Sequence, residues 1–95
     1  MNVIGFKLLN GEELLARCDG IVNDNKYTLE RPLVIIPQKM GNQVSIGLVP
    51  WIISAGEEAI VEVRCDVVAC KFTPITEISN EYLRQTTGIQ LVEYN

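Results

Sequence analysis

The chain of 95 residues contains no histidine, which removes the commonest general base in enzymes and a principal zinc ligand. Its three cysteines, Cys18, Cys65 and Cys70, are an odd number without paired spacing. This favours reduced thiols in a cytosolic compartment over a disulfide framework, and three thiols alone are an incomplete zinc set. The most apolar window, residues 46–55, is about half a membrane span and contains Pro50. We therefore expect a cytoplasmic protein without a metal, a cofactor or a targeting segment.

Candidates for covalent catalysis are few. Ser45, Ser54 and Ser79 do not lie in the sequence context of a nucleophile elbow. Cys65 follows Arg64, but a cysteine in such a position is more often a small core residue than a nucleophile. The sequence predicts that the protein is not an enzyme.

Apolar residues make up 47% of the sequence, a high share for one small domain. Oligomerisation is the simplest way to cover the apolar surface that such a domain leaves exposed. The formal net charge of −4 excludes a protein whose whole surface is a nucleic-acid or membrane footprint. A small local basic site is compatible with this charge.

The first residues predict a β-hairpin. Ile4, Phe6 and Leu8 alternate with other residues and are expected to point inward. Asn10-Gly11 follows, and this dipeptide is typical of a tight turn whose two central residues both have positive φ. The chain is thus expected to begin with two paired strands.

The remaining pattern predicts more bent strands and then a helix. Pro32 interrupts one predicted strand and must lie at an edge or a bulge, because proline donates no ladder hydrogen bond. After Pro74, the spacing of Ile75, Ile78 and Tyr82 predicts one apolar helix face. The predicted strands are residues 12–22, with a bend at Gly20, and residues 26–37, 43–54, 60–63 and 67–72. In the last strand, Val68, Cys70 and Phe72 are expected on one face. The helix is expected to stop at Gly88, and residues 89–94 are expected to form an extended or docking segment.

Two segments together resemble the motifs of the Sm-like (LSm) family. Leu8 and Gly11 match the leucine and turn glycine of the first motif, although Ala16 stands where the family usually has another glycine. The second motif, two alternating apolar residues followed by Arg-Gly and an acidic or amide residue, is matched over residues 61–68, with Cys65 in place of the glycine. The resemblance covers about residues 3–72, and the whole chain is similar to the small Sm-like proteins of tailed phages of marine bacteria.

The resemblance implies an all-β fold. This would be a strongly bent, five-stranded antiparallel Sm-like barrel of the SH3-like type over residues 1–73, with the C-terminal helix and tail, residues 74–95, packed on the same domain. Sm-like subunits form homo-oligomeric rings of about five to seven copies in which edge strands pair between neighbours. We expect the strand over residues 46–53 or 60–63 to pair with residues 67–72 of the next copy. The expected interface residues are Ile46, Leu48, Val61, Val63, Val68 and Cys70.

Many Sm-like rings bind single-stranded RNA near the central pore through two motif loops. By position, the residues implied here are Asn23, Asp24, Asn25, Lys26, Arg64, Cys65 and Asp66. The protein would then act in the cytoplasm of a bacterial or phage-infected host cell. The alternative is a structural or protein-interaction ring that binds no nucleic acid. Two features favour this alternative: carboxylates near Arg64 can neutralise the charge of the loop, and neither loop contains an aromatic residue for base stacking.

Overall fold

A computed structural model of the protein describes residues 3–18, 22–56 and 58–87. The described chain is mostly antiparallel sheet with one helix at its C-terminal side, which confirms the predicted all-β class with a single C-terminal helix. The predicted bend at Gly20, the stop at Gly88 and the segment 89–94 lie outside the described residues. The elements are β1 (Val3–Leu8), β2 (Glu13–Arg17), β3 (Val22–Asn23), β4 (Lys26–Met40), β5 (Gln43–Pro50), β6 (Ile60–Arg64), β7 (Val68–Phe72) and α1 (Thr76–Thr87), with single 3-10 turns at Ile53–Ala55 and Cys65–Val67.

The long strand β4 organises the sheet. The strand order is β3-β4-β2-β1-β7, and β5 and β6 are both added to β4, all as antiparallel pairs. The first part of β4 pairs with β6 and its second part with β5, so β5 and β6 act together as one interrupted strand beside β4. Of the strand predicted over residues 12–22, the described part contains β2, which ends at Arg17, and the start of β3 at Val22; residues 19–21 lie outside the described residues.

At Arg31-Pro32 the strand β4 stops pairing with β6 and starts pairing with β5, and its pairing with β2 contains a bulge at the same place. Leu15 pairs with Leu33 and Arg17 with Glu30, so β4 carries one extra residue at this point. Arg31 has a φ of 52°, which is the unusual backbone that the bulge requires. Pro32 lies at this bulge, where no ladder hydrogen bond from its backbone nitrogen is needed, so the prediction that it lies at an edge or a bulge is confirmed.

The β1–β2 hairpin forms as predicted, but its turn differs from the expected type. The amide of Gly11 donates to the carbonyl of Leu8 and the amide of Leu8 donates to the carbonyl of Glu12, both at 2.9 Å. Within this turn only Gly11 has a positive φ, 95°. Together with the hydrogen bonds between Leu8 and Glu12, this makes the connection a three-residue loop. The two-residue turn with both central φ values positive lies instead at Asp24 and Asn25, with φ of 54° and 62°.

One face of the sheet, the core face, holds the larger apolar cluster. Its buried members include Phe6, Leu14, Leu29 and Val63, and the Phe6 ring meets the Tyr27 ring edge to face with centroids 5.3 Å apart. This arrangement confirms that Phe6 and Leu8 point inward, while Ile4 is half-buried against the same cluster.

A register shift in β7 corrects one predicted strand face. Lys7 pairs with Cys70 but Leu8 pairs with Val68, so the strand carries an irregularity at Ala69. The shift turns Val68 toward the core cluster while Cys70 stays exposed. The prediction that Val68 and Cys70 share a face is therefore wrong, because the irregularity breaks the alternation of side chains along the strand.

The opposite face, the helix face, is covered by α1. Tyr82 is fully buried against Leu15, Leu33 and Leu48, and its hydroxyl lies 2.9 Å and 2.8 Å from the carbonyl oxygens of Glu30 and Arg31. Ile78 packs on the same cluster. Ile75 is 65% exposed, so the prediction that it belongs to the buried helix face is wrong; it precedes the first helical residue, Thr76, and does not follow the helix period.

Candidate nucleic-acid interface

Two turns that are far apart in sequence lie side by side at one end of the sheet. The first, at Asp24 and Asn25, connects β3 to β4, and the second is the 3-10 turn that connects β6 to β7. Strand pairing between β4 and β6 sets Lys26 opposite Arg64. The amide of Cys65 then donates a 2.8 Å hydrogen bond to the carbonyl of Asn25, which joins the two turns directly.

The two turns enclose an open cleft of about 540 Å³, called the two-turn cleft below. The structure brings together nearly all the residues that the family resemblance implied, and Asn23 lies next to them on β3, where its backbone pairs with Lys26. Six of the seven implied residues line this cleft: Asp24, Asn25, Lys26, Arg64, Cys65 and Asp66.

Both cations of the cleft have carboxylate partners within the chain. The Arg64 guanidinium lies 2.5 Å from Asp66 Oδ2, and the Lys26 ammonium lies 3.9 Å from Glu62 Oε1. The Arg64 and Asp66 side chains are 71% and 62% exposed. Exposed ion pairs of this kind contribute about 0–1 kcal/mol, so a phosphate can replace a carboxylate at little cost.

Cys65 fits its turn without backbone strain. In the Sm-like pattern a glycine occupies this position, but among the described residues only Asp24, Asn25 and Arg31 combine a side chain with a positive φ. Cys65 begins the 3-10 turn and is half-buried. The turn therefore forms with a cysteine because its backbone here does not need the conformational freedom of glycine.

Among the described residues, no group of three or more cysteine and acidic side chains is close enough to hold a metal ion. Over the same residues, α1 is the only α-helix, and neither its length nor its apolar content would let it cross a bilayer.

Two further cavities were not predicted from the sequence. One of about 150 Å³ lies at the β4 bulge, between Arg31, Ile52 and the end of α1 at Thr86. The other, of about 330 Å³, is apolar and lies between Leu9 and Trp51, and the Trp51 indole N–H donates to Glu12 Oε1 at 3.2 Å. Both depend on contacts between distant segments, for which the sequence contains no local pattern.

The residues expected at a subunit interface have different environments. Leu48 and Val63 are 7% and 5% exposed and belong to the two apolar clusters, so only their backbone is available to another subunit. Val61 and Val68 are half-buried against the core face. Ile46 is 40% exposed and Cys70 is exposed.

No protein-family model matches the chain, and no curated protein matches its sequence.

Proposed function

We propose that this chain is the subunit of an Sm-like ring and that its two-turn cleft binds single-stranded RNA. The observation that carries the proposal is the convergence of the two motif turns, joined by the Cys65–Asn25 hydrogen bond. The strand order supports it, because β7, β1, β2, β4 and the combined β5 and β6 follow one another as the five strands of an Sm-like barrel would.

The sheet edges support ring formation. Among the described residues, β7 pairs only with β1, and β6 pairs only with β4. Each subunit thus offers one unpaired edge on β6 and another on β7, and an unpaired edge readily accepts a strand from another chain. Pairing of β6 with β7 of the next copy, repeated around a rotation axis, closes a ring in which these two edges are covered.

A ring would bring one copy of the cleft per subunit around the central opening. Arg64 would then be repeated on a small circle, where several guanidinium groups raise the local positive potential despite the acidic subunit. The guanidinium can bind phosphate in place of Asp66, or stack on a base plane. Asn25 adds an amide that can donate to and accept from a base edge.

A second candidate function is a ring that binds protein and no nucleic acid. It is favoured by the charge of the cleft, where Lys26 and Arg64 face Glu62 and Asp66 in ion pairs and Asp24 adds a further carboxylate. In this case the cleft has no excess positive charge with which to attract a phosphate backbone.

Fluorescence anisotropy with labelled oligo-U and oligo-A at two salt concentrations tests the proposal. We compare the wild type with Arg64→Ala and use Arg84→Ala as a matched control, since Arg84 is also an exposed arginine paired with a carboxylate, Glu81, but lies on α1. Wild type and Arg84→Ala should bind RNA, with an affinity that falls as salt rises. Arg64→Ala should weaken binding at least tenfold, because one contact is lost in every subunit.

The results separate the two candidates. Absence of binding by the wild type at low salt refutes the RNA proposal and favours the protein-interaction ring. Binding that weakens equally in Arg64→Ala and Arg84→Ala would show that RNA contacts a surface other than the two-turn cleft.

A further inference from the structure

The second half of β4 and most of β5 form a two-stranded arm that extends past the rest of the sheet. The pairing of β4 with β2 ends at Val34, whereas its pairing with β5 continues from Ile35–Leu48 to Met40–Gln43. The arm, residues 35–40 and 43–48, is about 20 Å long. A two-stranded ribbon without further support is marginally stable in water, so the arm is expected to pack on another surface.

The arm leaves part of an apolar face uncovered. Residues paired across an antiparallel ladder share a face, so Pro37 and Ile46 lie on the same face as Leu48, which α1 covers. Val44 and Lys39 continue this face toward the tip. Beyond the part covered by the helix, Ile46 is 40% exposed and Val44 is 70% exposed.

Strand pairing in the proposed ring sets the position of this face relative to the next subunit. Both β5 and β6 flank the same edge of β4, so the copy that adds its β7 to β6 lies on the side of β5. Antiparallel pairing brings the Arg64 end of β6 beside Val68 of that copy and the Ile60 end beside its Phe72. The arm lies beyond Ile60 and therefore extends past the end of the neighbouring β7.

The segment that follows the end of β7 has a matching surface. Ile75 is 65% exposed, just before the first turn of α1. Glu77, in that first turn, is exposed and has no ion-pair partner among the described residues. Lys39, the only charged residue of the arm, is likewise exposed and unpaired in the described part of the chain. The arm thus offers apolar side chains and a cation, and the helix start offers an apolar side chain and an anion.

We propose that the arm of each subunit packs on the start of α1 of the next copy of this chain, with Ile46 and Val44 against Ile75 and with Lys39 paired to Glu77. The inference rests on the proposed ring and names a second contact within it. This contact adds apolar area to the β6–β7 pairing and supports the arm, and it uses a segment outside the two Sm-like motifs.

The concentration at which the ring dissociates, measured by mass photometry and sedimentation velocity, tests this contact. Val44→Asp introduces a charge into the proposed contact, and Ser45→Asp introduces the same charge at the adjacent exposed position on the opposite face of β5. We expect Val44→Asp to raise the dissociation midpoint about tenfold or more, and Ser45→Asp to leave it unchanged. Trp51 fluorescence and circular dichroism establish that both variants are folded.

Charge reversal provides a second, independent measurement. Lys39→Glu and Glu77→Lys should each raise the dissociation midpoint, and the double variant should return it toward the wild-type value. The arm contact is overturned if Val44→Asp and Ser45→Asp have the same dissociation midpoint, or if the midpoint of the double variant is no closer to the wild-type value than that of either single variant. Either result leaves the ring proposal standing. A monomeric wild type overturns both.

Discussion

Replacing Tyr82 by phenylalanine tests how α1 is held on the sheet. The tyrosine ring is completely buried, and its single hydroxyl proton is shared between the carbonyl oxygens of Glu30 and Arg31 beside the β4 bulge. Phenylalanine keeps the ring but leaves both carbonyls without this donor. We expect the free energy of unfolding to fall by about 1–2 kcal/mol at neutral pH.

The same residue should give the protein a defined dependence on alkaline pH. Burial raises the pKa of Tyr82 from 10.0 to about 12. Between these values the unfolded chain loses the proton and the folded chain keeps it, so the free energy of unfolding falls as pH rises. The slope is about 1.4 kcal/mol per pH unit once pH exceeds the unfolded pKa, which gives a loss of about 1 kcal/mol at pH 11.

Urea denaturation followed by Trp51 fluorescence, at pH 8 and pH 11 and at one protein concentration, measures both effects. Tyr27→Phe is the control, because the Tyr27 hydroxyl has no hydrogen-bond partner among the described residues although its ring packs in the core. Tyr82→Phe should be less stable at pH 8 and should lose about 1 kcal/mol less than the wild type on going to pH 11. A Tyr82→Phe variant as stable as the wild type at pH 8, with an equal loss at pH 11, would refute this description of the helix contact.

Two further predictions concern single backbone positions. A Cβ on Gly5 would lie 2.2 Å from Cε2 of the Phe72 ring, so Gly5→Ala should lower the free energy of unfolding by about 1–3 kcal/mol. When Phe72→Leu is combined with Gly5→Ala, it should relieve most of this loss. Additive effects in a double-mutant cycle would contradict the close contact. Cys65 adopts an ordinary backbone at the position where the Sm-like pattern has glycine, so Cys65→Gly should destabilise the protein by about 0.5–1 kcal/mol in thermal unfolding rather than stabilise it.

Features that depend on local chemistry were predictable from the sequence. The alternation of Phe6 and Leu8 identified a strand with one buried face, and the missing N–H of Pro32 required an edge or a bulge, of which the structure has the bulge. The helix α1 was predicted from apolar spacing, of which Ile78 and Tyr82 lie on its buried face and Ile75 does not. Each of these features is decided by a few neighbouring residues, which is why a single sequence contains enough information.

Features that depend on distant contacts, and the type of one local turn, were not predictable in the same way. Asn10-Gly11 has the composition of a two-residue turn, but the pairing of Leu8 with Glu12 makes it a three-residue loop. The partner change within β4 depends on β5 and β6 together, and the need for glycine at position 5 depends on Phe72. For the candidate site, the resemblance named the residues that line the cleft, and a carboxylate partner for Arg64 was expected from its neighbours, whereas the pairing of Lys26 with Glu62 depends on the folded chain.

Native mass spectrometry of the wild-type protein tests the central claim, that the chain is a ring subunit, most directly. The subunit mass is 10.6 kDa. At micromolar concentration we predict one dominant species at a multiple of about five to seven subunits, because a ring must satisfy both sheet edges of every copy. A spectrum dominated by the 10.6 kDa monomer would contradict the account.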